Sequence, residues 1–104
     1  EAKDTGEVLC LVTGDGERTF AYRSGASSSL TVSALSGKLQ EAAADQGGQL
    51  DLVYLDVYTL LCPGQLTEDG MREAQSLNAR TALNLGSSGI VSANRERLWA
   101  ILRS

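Results

Sequence analysis

The chain has 104 residues and a mass of 11.0 kDa, which corresponds to one domain. With 42% hydrophobic and 21% charged residues, it has the composition of a folded globular protein and not of a disordered or fibrous one. The net charge is -4 and the basic residues are scattered, which argues against nucleic-acid binding. Histidine is absent, so catalytic triads, imidazole metal sites and histidine pH switches are excluded. The longest apolar run, Leu52 to Leu61, is interrupted by polar residues and is not a membrane span.

The first part of the chain predicts a β-hairpin. Two short β-prone runs, 8–13 and 18–23, flank Gly14-Asp15-Gly16-Glu17, and an Asp-Gly pair supplies the positive φ angles of a tight turn. Cys10 and Cys62 are too few and too far apart for a CxxC pair or a thiolate zinc site. We therefore predict that both are buried free thiols.

The rest of the chain predicts alternating helices and strands. In chain order these are a helix capped by Thr31 and ended by Gly47-Gly48, an apolar strand over 50–58, a helix capped by Thr67 and reaching about Ala79, a strand over 81–85, a loop over 86–89 and a helix capped by Ser92. This order predicts an α/β fold with parallel βα units, in which the strand over 50–58 is buried on both faces.

Two parallel strands form a very narrow sheet. Parallel sheets need helices on both faces and neighbouring strands or other cover at both edges, and two strands with their helices supply too few of these. We therefore expect residues 1–104 to be a single partial domain that is completed by other polypeptide. The alternative is a small, self-sufficient α/β module.

Residues 5–20, with their TGEVLCLVTGDGERTF sequence, followed by Gly25-Ala26 and Leu30-Thr31, resemble the lid segment of PfkB-family carbohydrate kinases, the ribokinase and adenosine kinase group. The similarity continues in order to about residue 103. Residues 51–58 resemble a family strand that ends in a Gly-Tyr pair, here with Val57 in place of the glycine. Residues 81–87 resemble a later strand that carries Asp or Asn, and residues 94–99 resemble the helix after it.

The resemblance implies a ribokinase-like fragment in which residues 5–29 form the lid hairpin and its connection, and residues 30–104 form the α/β units. It also implies ATP-dependent phosphoryl transfer to a sugar or nucleoside hydroxyl, with ATP and Mg²⁺ as cofactors. The family's glycine-rich sugar-binding region, its Asn-x-x-Glu motif and its GAGD motif, which supplies the catalytic base and the anion hole, do not occur in this sequence. We expect the chain alone to have no catalytic residue, to bind neither cofactor and to be inert.

Four residues are candidates for substrate binding, each with a structural alternative. Phe20 and Tyr22 either present a ring to the substrate or stabilise the hairpin as cross-strand partners. Tyr58 and Asn84 lie near strand ends, where open α/β sheets bind ligands, but such residues also pack or satisfy turns. Asp56 is a lone carboxylate in an apolar run. Such a group could have a raised pKa, but without a second carboxylate or a lysine nearby in the sequence it is predicted to be a structural carboxylate.

Three functions therefore remain open. The first is a segment of a PfkB-type kinase, the second is a non-catalytic, kinase-like structural subunit of a larger assembly, and the third is a small autonomous binding module. The first two predict other polypeptide as the partner, with a sugar or nucleoside as a possible ligand and neither nucleic acid nor a membrane span. The compartment, cytoplasmic or organellar, is not determined by the sequence.

Overall fold

The computed structural model describes residues 3–104 and has a mixed α/β architecture. Its elements in chain order are β1 (Glu7–Val12), β2 (Arg18–Arg23), a first 3-10 helix (Gly25–Ser29), α1 (Val32–Asp45), β3 (Leu52–Asp56), a second 3-10 helix (Val57–Leu61), α2 (Leu66–Ser76), β4 (Arg80–Asn84), α3 (Ser88–Ala93) and α4 (Arg95–Arg103). The strands form two separate two-stranded sheets, an antiparallel one of β1 and β2 and a parallel one of β3 and β4.

The predicted hairpin is confirmed. Its turn is held by Asp15, whose Oδ1 accepts hydrogen bonds from the Thr13 hydroxyl at 2.5 Å and from the Glu17 amide at 3.1 Å. Gly16 has a φ of +85°, a left-handed conformation that glycine adopts at little cost. Every residue of both strands is exposed, so Cys10 is an exposed free thiol and the prediction that it is buried was wrong. Within residues 3–104, no other element covers the apolar side chains of these two strands.

The first helix begins where the sequence predicts. The Thr31 hydroxyl accepts a hydrogen bond from the Ala34 amide at 3.3 Å and so caps α1. On the facing helix α2, Gly70 leaves space for α1, since a Cβ atom built at Gly70 lies 2.8 Å from Cδ2 of Leu35. The two helices thus approach each other closely at this glycine.

The parallel sheet has one buried face. Val53 and Leu55 of β3 point into the core, whereas Leu52 and Tyr54 on the other face are 52% and 59% exposed. The prediction that this strand is buried on both faces was therefore wrong. The strand also ends at Asp56, earlier than predicted, because the Asp56 carboxylate accepts the Tyr58 amide at 2.9 Å and starts the second 3-10 helix.

Two predicted helix caps were also wrong. Thr67 is fully buried inside the first turn of α2, and its hydroxyl is hydrogen-bonded to that of Thr59 at 2.7 Å. The residue that precedes α2 is Gln65, so the helix begins two residues earlier than predicted. The predicted last helix is two helices, α3 capped by Ser87 and α4 preceded by Asn94; Ser92 lies within α3 and caps neither. The predicted loop over 86–89 accordingly ends at Ser87.

The core lies between the parallel sheet and the helices, and much apolar surface remains outside it. Its buried residues are Val53, Leu55, Val57, Leu60, Met71, Ala74, Ala79, Leu98 and Ile101. The accessible surface is 7378 Å², against about 5,600 Å² for a compact folded chain of this mass. The radius of gyration is 15.8 Å, against about 13 Å for a compact domain of 100 residues.

None of the helices formed by residues 3–104 has the length and apolar character needed to cross a membrane.

Candidate functional site

The parallel strands bring polar residues to one edge of the sheet. Asp56 and Asn84 are the last residues of β3 and β4, and they are direct partners in the strand register. Tyr58 follows Asp56 by two residues on the second 3-10 helix. Ligands of open α/β sheets bind outside the carboxyl ends of the strands, so this edge, hereafter the carboxyl edge, is the candidate site.

Asp56 has a structural role at the carboxyl edge. Its Oδ1 accepts the Tyr58 amide, and its backbone carbonyl accepts the Thr59 hydroxyl at 2.7 Å. These bonds fix the point at which the chain leaves the strand. Burial raises the pKa of the Cys62 thiol, and the Asp56 carboxylate raises it further because a thiolate next to a carboxylate is disfavoured. The half-buried Cys62 thiol therefore keeps its proton to a higher pH than a free thiol does.

Tyr58 is accessible although its neighbours are in the core. Val57 and Leu60 are buried, while Tyr58 is 50% exposed. The backbone that carries it is thus held by core packing and by the Asp56 bonds. The phenol can offer a ligand both a ring face and a hydroxyl that donates or accepts a hydrogen bond.

Asn84 is exposed and its amide lies over Gly86. A Cβ atom built at Gly86 would be 3.3 Å from Oδ1 of Asn84, so a larger residue there would press against this side chain. Within residues 3–104 the Asn84 amide makes no side-chain hydrogen bond. It is therefore free to bind a hydroxyl group, for which an amide offers both a donor and an acceptor.

Phe20 and Tyr22 share one face of the hairpin, which we call the aromatic face. They lie opposite Cys10 and Val8 in the register and are 58% and 62% exposed. The opposite, aliphatic face carries Leu9, Leu11 and Ala21. The four predicted site residues thus form two pairs on separate elements, Phe20 with Tyr22 on the hairpin and Tyr58 with Asn84 at the carboxyl edge.

A contact that the sequence does not reveal joins α4 to α2. Arg97 of α4 binds Glu68 of α2 with two parallel hydrogen bonds, from Nε to Oε1 at 2.5 Å and from Nη2 to Oε2 at 2.9 Å. This pairing lowers the pKa of Glu68 and raises that of Arg97, mainly through the hydrogen bonds. The two residues are far apart in the chain and belong to different helices, so no local motif signals their contact.

The carboxyl edge does not fit a magnesium ion. Mg²⁺ requires an octahedral set of oxygen ligands, usually with one or two carboxylates. Asp56 is the one carboxylate at this edge, and its Oδ1 already accepts the Tyr58 amide. Across residues 3–104, no three His, Cys, Asp or Glu side chains come together in a way that could hold a metal ion. Within residues 3–104, the carboxyl edge therefore lacks the carboxylate set that Mg²⁺ prefers.

Comparison with known proteins gives no family. No protein-family model, no curated protein and no solved structure matches the chain. The kinase assignment thus stays a prediction that rests on the sequence resemblance.

Proposed function

We propose that this chain is the lid-bearing segment of a PfkB-type kinase that transfers phosphate from ATP to a sugar or nucleoside hydroxyl. It contributes substrate contacts, whereas polypeptide outside residues 1–104 supplies the catalytic base, the anion hole and the site for ATP and Mg²⁺. A lid that closes over the substrate excludes water, so that the phosphoryl group reaches the hydroxyl and not the solvent.

The observation that carries this proposal is the hairpin with an accessible aromatic face. A hairpin that only stabilised its own domain would bury one face, yet here Phe20 and Tyr22 are both accessible. Rings of this kind stack on the apolar face of a sugar or on a nucleobase. Tyr58 and Asn84 add hydrogen-bonding groups at a second accessible surface, which suits a ligand rich in hydroxyl groups.

A second candidate is a non-catalytic, kinase-like structural subunit of a larger assembly. The accessible surface well above that of a compact chain favours it, because the exposed aliphatic face of the hairpin and the open face of the parallel sheet suit burial against other polypeptide. This candidate needs no ligand at Phe20, Tyr22, Tyr58 or Asn84.

Ligand-observed saturation-transfer NMR distinguishes the two candidates. The probes are ribose, fructose, adenosine and uridine, each added to the chain. A stacked ring contributes about 1–3 kcal/mol and a neutral hydrogen bond about 1 kcal/mol, so dissociation constants on the order of millimolar are expected. Saturation transfer to at least one probe supports the kinase segment, and transfer to none of them favours the structural subunit.

Variants then locate the binding. Phe20→Ala should weaken saturation transfer, and so should Asn84→Ala. Leu11→Ala is the matched control because Leu11 lies on the aliphatic face of the same hairpin. If Leu11→Ala weakens binding as much as Phe20→Ala does, the aromatic face is not the binding surface and the proposal is wrong.

A further inference from the structure

Arg97 makes two further hydrogen bonds in addition to its ion pair with Glu68. Besides its two bonds to Glu68, it donates from Nη1 to the carbonyl of Leu60 at 3.3 Å and from Nη2 to the carbonyl of Gly64 at 3.4 Å. One guanidinium therefore binds four oxygen atoms, which lie on the second 3-10 helix, on the loop that follows it and on α2.

These acceptor atoms lie within, or just after, the segment that carries Tyr58. Residues 57–65, which we call the edge connection, join β3 to α2 and include both Tyr58 and Cys62. Asp56 holds the start of this segment, as described above. Leu60 lies near its middle and Gly64 near its end, and Glu68 lies in the first turn of the helix that follows. Arg97 thus contacts the middle and the end of the edge connection, whereas Asp56 holds its beginning.

We propose that Arg97 is a positioning residue of the carboxyl edge: together with the Asp56 bonds and the buried Val57 and Leu60, it sets the path of the edge connection and thereby the place of Tyr58. The significance of Tyr58 for a ligand rests on the proposed function, but the conformational role does not. A guanidinium suits this role because its planar donors can engage a carboxylate and two carbonyls together, which the compact ammonium group of lysine does not reproduce.

Arg72 provides a matched comparison within the same region. It binds Asp69 at 2.5 Å, but both partners lie on α2 one turn apart, and the Arg72 side chain is exposed. Its ion pair does not reach the edge connection. Arg72→Gln therefore removes a guanidinium and an ion pair without removing a bond to residues 57–65.

The first test measures how fast Cys62 is labelled by a thiol reagent. The parent and every variant carry Cys10→Ser, so that Cys62 is the one thiol that can react. Cys62 is half-buried within the edge connection. Arg97→Gln removes charged hydrogen bonds that hold the edge connection, so this segment should open more often. The rate at which Cys62 is labelled should then rise by about tenfold or more. Arg72→Gln should leave the rate near that of the parent. Equal rates for the two variants would overturn the proposal.

The second test separates positioning from a general loss of structure. With ¹³C-labelled tyrosine, Arg97→Gln should displace the ring signals of Tyr58 and leave those of Tyr54 and Tyr22 in place. Displacement of all three signals, or of none, would contradict the proposal. If Arg97→Gln does not fold, Arg97→Lys and Glu68→Gln are measured by the same criteria. Neither test uses a sugar or nucleoside, so its failure is distinct from failure of the kinase proposal.

Discussion

Two glycine-to-alanine variants test the packing of α1 on α2. Both Gly37 and Gly70 lie inside helices, so alanine should favour the helical backbone by about 1 kcal/mol at either position. At Gly37 nothing lies within 4 Å of the added Cβ. At Gly70 the Cβ would be 2.8 Å from Cδ2 of Leu35 and 3.4 Å from Cδ1 of Leu55.

The expected result follows from these distances. Gly37→Ala should raise the free energy of unfolding by about 1 kcal/mol. Gly70→Ala gains the same helical term but must displace the end of the Leu35 side chain, which offsets part or all of the gain, so this variant should be less stabilising than Gly37→Ala. Equilibrium urea unfolding followed by circular dichroism at 222 nm measures both. If Gly70→Ala is as stabilising as Gly37→Ala, α1 does not pack on α2 as described.

Four further predictions concern the turn, the ion pair, the cap and catalysis. Gly16→Ala should weaken the hairpin by about 1 kcal/mol, because alanine resists the left-handed conformation, and amide exchange within β1 and β2 should rise accordingly. The pKa of Glu68 is lowered in the folded state, so its contribution to stability is present above its unfolded pKa and is lost as the pH falls through the folded pKa. Stability measured by urea unfolding should therefore fall less on acidification in Glu68→Gln than in the parent. Asp56→Ala should increase amide exchange at Tyr58, whereas Asp56→Asn, which keeps an acceptor oxygen, should retain most of the protection. The chain alone should transfer no phosphate from ATP to ribose or adenosine in a coupled assay.

Each of these predictions has an outcome that contradicts it. Unchanged exchange in Gly16→Ala would refute the turn geometry. Equal acid sensitivity of Glu68→Gln and the parent would show that the Glu68 pairing does not contribute to stability. Similar exchange at Tyr58 in Asp56→Ala and Asp56→Asn would refute the cap. Reproducible phosphorylation by the chain alone would refute its inertness.

Local chemistry made several features predictable from the sequence. The Asp15-Gly16 pair determines its turn through a side-chain acceptor and a positive φ, and both act within three residues. Thr31 caps α1 for the same kind of reason, since its hydroxyl accepts an amide three residues away. Met71 and Ala74 are apolar residues at helical spacing on α2, and both lie in the core, as such spacing indicates.

The errors arose where tertiary contacts override local preference. Thr67 resembles a helix cap, but its hydroxyl bonds to Thr59 and the residue is fully buried. The apolar run over 50–58 is typical of a strand with two buried faces, yet the chain supplies helices that bury only the Val53 and Leu55 side. The contact of Arg97 with Glu68 joins two helices and has no sequence signature.

The carboxyl edge was predictable in part. Once the strands are taken as parallel, their last residues must meet at one edge, which brings Asp56 and Asn84 together. The sequence does not show that the Asp56 carboxylate is engaged by the Tyr58 amide, or that the hairpin would stay exposed on both faces. Both features depend on how the elements pack in three dimensions, which the local sequence does not encode.

Native mass spectrometry of the protein isolated under non-denaturing conditions tests the central claim most directly. The claim is that the hairpin faces and the open face of the parallel sheet are covered by other polypeptide when the protein works. We predict a native mass above 11.0 kDa, because residues 1–104 belong to a longer chain or to a complex. A stable monomer of 11.0 kDa that unfolds cooperatively on its own would contradict it.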